Sequence, residues 1–130
     1  MFRFSVRLAP LACAALVAAA LIAVPALATN VVKIDSKVTI STQPPAFHGH
    51  VKSIKHACEI QRKVKLFKQR KGRPDKLLGT DKTNHLGRWK VVITPLKSGA
   101  YYAKVVRREE GTAGTIFVCR GDRTKTVVVD

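Results

Sequence analysis

Arg88-Trp89-Lys90-Val91-Val92-Ile93 and, after an intervening turn at Ser98-Gly99, Ala100-Tyr101-Tyr102-Ala103-Lys104-Val105 decide the fold of this chain. Trp89, Val91 and Ile93 fall on a common face of the first run, and Tyr101, Ala103 and Val105 on a common face of the second. Side chains of a strand alternate between its two sides, so an apolar period of two marks strands with one face buried. Gly87 and Gly99 stand where the chain must turn into each strand, and glycine adopts the positive φ of such turns without strain.

The same pattern continues in both directions. Upstream, Lys37-Val38-Thr39-Ile40-Ser41 alternates until Pro44-Pro45 stops it, and Phe47-His48-Gly49-His50-Val51 places Phe47, Gly49 and Val51 on one side. Residues 62–69 turn Val64 and Leu66 inward between basic residues, Lys71-Gly72-Arg73-Pro74-Asp75 forms a turn, and a weaker strand runs from Lys76 to Lys82. Downstream, Glu110-Gly111 to Gly114 reads as a turn, followed by strands over 115–119 and 125–129. Strand-like runs therefore recur about every 10 to 14 residues, the spacing of an all-β sandwich or barrel. The expectation is a single antiparallel β-sandwich of about seven to eight strands. No stretch after residue 30 sustains a helical apolar period for three turns, and no internal repeat, second domain or long linker is visible.

The amino-terminal end is of another kind. Arg3 and Arg7 precede an Ala/Leu/Val run over 8–24, and Pro25 leads into Ala26-Leu27-Ala28, small residues at the positions a signal peptidase inspects. The expectation is a helical signal peptide over 1–28, cleaved after Ala28, a domain over 29–130, and a secreted or cell-envelope location. An uncleaved anchor is the competing reading, which the short run, Pro10 and the cleavage pattern disfavour. Cys13 leaves with the signal, and the residues before it make a poor lipobox. Cys58 and Cys119 then remain in an oxidising compartment, and the expectation is that they form one disulfide. Closing a loop of about 60 residues stabilises a fold by about 4 kcal/mol in the chain-entropy model. Metal ligation would ordinarily show a Cys-x-x-Cys spacing, and a catalytic thiol would leave its companion unexplained.

Four elements in order carry a resemblance. Phe47-x-Gly49-x-Val51-x-Ser53, Lys63-Val64-Lys65-Leu66-Phe67, Thr80-Asp81 with Gly87-Arg88-Trp89, and Ser98-Gly99-Ala100-Tyr101-Tyr102-Ala103 together resemble the carboxypeptidase regulatory-like domain, a transthyretin-like (prealbumin-like) β-sandwich. The resemblance covers residues 47–105 and implies that Trp89 and Tyr101 are core side chains. It also implies an accessory role, since such domains usually accompany another activity. The chain departs from the pattern in the Cys58 and Cys119 pair, in Ser98 where the family often has proline, and in having no attached enzyme.

Chemistry-bearing patterns are few. His48 and His50 are two apart on a strand and share a side, as in strand-borne His-x-His metal sites, with His56 close in sequence. A third ligand is wanting, His85 and Asp81 being the conceivable ones, so the pair reads as solvent-facing imidazoles. No Gly-x-Ser-x-Gly, no His-Glu-x-x-His and no paired carboxylates occur; the acids Asp35, Glu59, Asp75, Asp81, Glu109, Glu110, Asp122 and Asp130 are scattered through turns and strand ends. A non-enzymatic protein with no cofactor is expected. Arg120-Gly121-Asp122 invites an adhesion reading but equally makes a turn after Cys119.

Charge is the unusual feature. The chain has 24 Lys and Arg against 8 Asp and Glu, and removing Arg3 and Arg7 with the signal leaves 22 basic groups, a formal +14. Lys63, Lys65, Lys68, Arg70, Lys71, Arg73 and Lys76 crowd one strand and its turn, with Lys52, Lys55, Arg62, Arg107 and Arg108 adding to them. An exposed basic ribbon on this strand would hold an anionic cell-envelope polymer through counterion release. Specific nucleic-acid binding is disfavoured, because aromatic partners for stacking are few and no recognition motif appears. The leading expectation is a secreted binding or accessory module at the envelope. The alternatives are a structural module that contacts another envelope protein along a strand edge, and an exported metal protein or enzyme.

Overall fold

The eight-residue strand Ala46–Ser53 is the axis around which the first sheet assembles. The computed structural model describes residues 30–130, so the expected signal peptide, its cleavage after Ala28 and Cys13 lie outside the described residues. In chain order the strands are β1 Asn30–Ile34, β2 Ser36–Val38, β3 Ser41–Gln43, β4 Ala46–Ser53, β5 Lys63–Lys68 and β6 Lys76–Lys82. They continue with β7 Arg88–Val92, β8 Gly99–Val105, β9 Arg108–Thr112, β10 Thr115–Cys119, β11 Asp122–Arg123 and β12 Val127–Val129. One 3-10 turn, His56–Cys58, is the helical element among the described residues. The described residues are all-β, as their period-two patterning requires.

The strands form three sheets. β2 and β3 follow one another along one edge of β4, with β7 on the other edge. The 37–41 run expected as one strand is therefore bent at Thr39, where Gly49 of β4 lets the chains close in. A Cβ on Gly49 would lie 1.9 Å from the Thr39 carbonyl oxygen, and the Trp89 indole N–H donates to that same oxygen at 3.1 Å. The second sheet has the order β11-β8-β5-β6, with β12 also on β8, and all its pairings are antiparallel. Val38, Ile40, Phe47, Val51, Trp89 and Val91 from the first sheet meet Val64, Leu66, Tyr101, Ala103 and Val105 from the second in one buried cluster. Gly87 and Gly99 have φ values of 73° and 146°, as turn glycines should.

Two acids close the seams between these sheets. Asp81 of β6 accepts the backbone N–H of Lys90 in β7 at 2.8 Å, and Asp122 of β11 accepts that of Val38 in β2 at 2.9 Å. Each carboxylate satisfies an N–H that the ladders leave free, so both are structural. The adhesion reading of Arg120-Gly121-Asp122 loses its acid this way, and Arg120 pairs with Asp35 at 3.2 Å.

The third sheet, β1-β10-β9, departs from expectation. β1 runs parallel to β10, from Asn30 opposite Thr115 to Ile34 opposite Cys119, so the fold is not purely antiparallel. β9 takes in residues 110–112, expected as turn, and the turn itself contracts to Ala113-Gly114 between β9 and β10. The sequence of β9, Arg108-Glu109-Glu110-Gly111-Thr112, has no apolar alternation; the ladder from β10 holds it, helped by Arg108–Glu110 pairing at 2.8 Å.

Beside this sheet Cys58 and Cys119 are joined in a disulfide, both fully buried with Ile34. Arg62, counted with the basic surface on sequence, is instead 0% exposed. Its guanidinium donates to Ser36 Oγ at 2.8 Å and to the carbonyls of Cys58 at 2.7 Å, Val106 at 2.9 Å and Arg120 at 3.0 Å. Burial, with repulsion from Arg108, lowers its pKa to about 10, so it stays charged at neutral pH and is held by neutral acceptors. Its planar fork, not its charge towards solvent, is what the structure uses.

Candidate anion-binding surfaces

The basic ribbon expected along β5 is divided by the strand itself. Val64 and Leu66 face the core, so Lys63 and Lys65 point outward with Phe67. In register across the sheet, Lys65 stands opposite Lys104 of β8, which stands opposite Arg123 of β11, and Lys63 stands opposite Lys82 of β6. Directly opposed residues share a face with Cβ atoms about 5 Å apart, and like charges so placed destabilise a sheet. Five cations thus lie on the outward face. Next to them Phe67 stacks on Tyr102 with ring centroids 5.3 Å apart, and the Arg123 guanidinium lies 3.7 Å from the Tyr102 centroid.

One carboxylate, Asp75, borders this face. It accepts the Tyr102 hydroxyl and, at 3.3 Å, the backbone N–H of Arg70. The Tyr102 hydrogen bond, seconded by that N–H and by the fields of Arg123 and Lys104, holds the Asp75 carboxyl below its ordinary range. Burial and the Asp75 contact raise the Tyr102 phenol in return. The three ion pairs among the described residues join Arg107 to Glu109, Arg108 to Glu110 and Arg120 to Asp35, and none includes a lysine. Arg107 and Arg108, expected to extend the basic surface, are therefore each paired with a glutamate of β9. Lys55 is taken up otherwise, its ammonium lying 3.6 Å from the Phe117 ring centroid.

The rest of the ribbon turns the other way. Lys68 is opposite both Tyr101 and Lys76, and Tyr101 is in the core, so this row faces inward at the end of the sheet. Lys68, Arg70, Arg73 and Lys76 gather there around a cavity of about 430 Å³ with Lys97, a residue sequence reasoning missed. Lys71 sits at the exposed apex of the turn beside Asp75 and joins neither group. Lys104 had a signal, since inward Ala103 and Val105 put it outward; Lys97 had none, lying in a loop without periodicity.

His48 and His50 lie on the outer side of β4, opposite Lys90 and Arg88 of β7. Asp81, the acid nearest them in sequence expectation, spends its oxygens on the N–H groups of Lys82 and Lys90, both at 2.8 Å. His56 and His85 are exposed on separate turns. Among the described residues no group of three His, Cys, Asp or Glu side chains is placed to hold a metal. A larger hollow, 620 Å³ along the seam of β2 and β11, has Asp122 as its carboxylate, already committed to Val38. Comparison with protein-family models, curated proteins and solved structures finds no match to this chain.

Proposed function

We propose that the chain is an exported, non-enzymatic β-sandwich module of the cell envelope or its exterior that holds an anionic polymer on the outward face of the β11-β8-β5-β6 sheet. The observation that carries this is the row of Lys65, Lys104 and Arg123 in direct register, flanked by Lys63 and Lys82. Unrelieved like charges cost stability, and a polymer bearing regularly spaced anions removes that cost by displacing its own counterions. The β-sandwich reading, and with it the carboxypeptidase regulatory-like resemblance, is supported by burial of Phe47, Val51, Val64, Leu66, Trp89 and Tyr101. Export is supported by the signal pattern over 1–28 and by the disulfide.

Salt-dependent retention of the purified domain on heparin-like and teichoic-acid-like matrices tests the reading. Binding should weaken log-linearly with salt and discriminate little among polymers of equal charge density. Charge reversal at Lys65, Lys104 and Arg123 to Glu should abolish retention at moderate salt while the fold persists. Equal retention of wild type and variant would refute the assignment of this face. A domain that begins at Thr29 by intact mass supports export, and one retaining residues 1–28 in the membrane speaks against it.

A further inference from the structure

The inward cavity differs in kind from the outward row, and shares no side chain with it. Its rim is cationic, Lys68, Arg70, Arg73, Lys76 and Lys97, and no carboxylate lines it. Its floor is apolar, formed by Leu78, Ile93, Pro95 and the Tyr101 ring. At about 430 Å³ it lies towards the small end of small-molecule sites and is too small for a run of polymer.

Several of its cations are positioned without a ligand. The Arg70 Nε donates to the Pro74 carbonyl at 2.9 Å, which fixes the guanidinium and leaves its terminal nitrogens free of partners among the described residues. Lys68 passes over Gly99, where a Cβ would come within 2.7 Å of its Cε, and its ammonium lies 5.7 Å from the Tyr101 centroid. The Tyr101 hydroxyl donates to the Lys97 carbonyl and so anchors the loop that brings Lys97 to the rim. Asp75, the acid closest in sequence, accepts the Tyr102 hydroxyl on the outward side and forms no ion pair with these groups.

We propose that this cavity binds a compact phosphomonoester or pyrophosphate group attached to a small apolar or ring-shaped body. Five cations around one small hollow call for an anion of high charge density. A phosphomonoester carries about −1.5 to −2 at neutral pH, and its oxygens match arginine forks, whereas a sulfate ester or a carboxylate brings a single charge. The apolar floor gives the body of the ligand a surface to cover, which inorganic phosphate alone leaves exposed.

Calorimetric titration of the whole domain at fixed ionic strength with phenyl phosphate, phenyl sulfate and inorganic phosphate separates these terms. Phenyl phosphate should saturate one site and bind about ten-fold or more tightly than either comparator. Arg73→Ala with Lys97→Ala, both exposed positions, should lose that binding while retention on an anionic polymer matrix persists; the outward-row reversals should do the converse. Phenyl sulfate binding as well as phenyl phosphate, or wild-type affinity in the Arg73→Ala, Lys97→Ala variant, would overturn the proposal. Vesicles identify the source of the group. Preference for phosphatidic acid over phosphatidylglycerol at equal surface charge assigns it to a lipid headgroup, and tight phenyl phosphate binding without that preference assigns it to a soluble phosphate.

Discussion

Arg62 shows how one side chain can be misjudged when only its charge is considered. It follows the Cys58 turn and leads into β5, and its fork ties the 3-10 turn, β2, the link from β8 to β9 and the link after β10 to one point. Arg62→Ala should therefore destabilise the domain by about 3–5 kcal/mol, through unpartnered carbonyls and a cavity, in urea unfolding followed by Trp89 fluorescence. Arg62→Lys should recover only part of this, because an ammonium cannot span acceptors set for a planar fork. The two tyrosines are the whole phenolic content of the chain, and both are raised above their ordinary range, Tyr101 by burial and Tyr102 by burial and Asp75. The native state holds these protons more tightly than the unfolded chain. Their stabilisation is complete below about pH 10 and is lost as pH rises through the raised values. Arg62, whose pKa is lowered to about 10, acts in the opposite sense above that pH. Ultraviolet titration of the native protein should show phenolate appearing later than in the urea-unfolded chain; coincident curves would contradict this.

At the level of strands, legibility followed the apolar period. β4, β5, β7 and β8 turn apolar side chains into the core, and the positions of β4 to β8 could be read to within two residues. β1 and β9 could not, because they lie in the peripheral sheet, where β10 and not an apolar face holds them in place. The basic surface failed for a related reason. Sequence gathers Lys63 to Lys76 into one ribbon, but inside and outside alternate along β5 and send its cations to two unrelated places. Opposed cations on the outward face lead to a further prediction. Lys104→Thr removes one of the charges facing Lys65 and Arg123, and should raise stability by about 0.2–1 kcal/mol while lowering polymer retention. A thermal melt and a salt-gradient elution on the same sample check both signs; a loss of stability would contradict the prediction and show that the Lys104 contacts with Asp75 and with the Phe67 and Tyr102 rings outweigh the repulsion.

For the molecule as a whole, Cys58→Ala should cost about 2–5 kcal/mol, read as a lower denaturant midpoint, because the bond closes a separation of 61 residues and lies in the buried cluster with Ile34. Several other closures span the chain in the same manner. Among the described residues β1 pairs with Thr115–Cys119, Arg62 has two of its acceptors at Val106 and Arg120, and the Val38 N–H has its carboxylate at Asp122. Loop closure must precede the contacts that reward it, so such a topology folds slowly and late. During synthesis, which proceeds from the amino end, residues 30–64 cannot complete the earliest of these joins until Val106 exists, nor the others until residues beyond 114 do. The parallel pairing of β1 on β10 therefore makes the amino-terminal strand the debtor of the carboxy-terminal one: Asn30–Ile34 has no ladder until Thr115–Cys119 is made, whereas the main core, drawn from residues 38–105, needs neither.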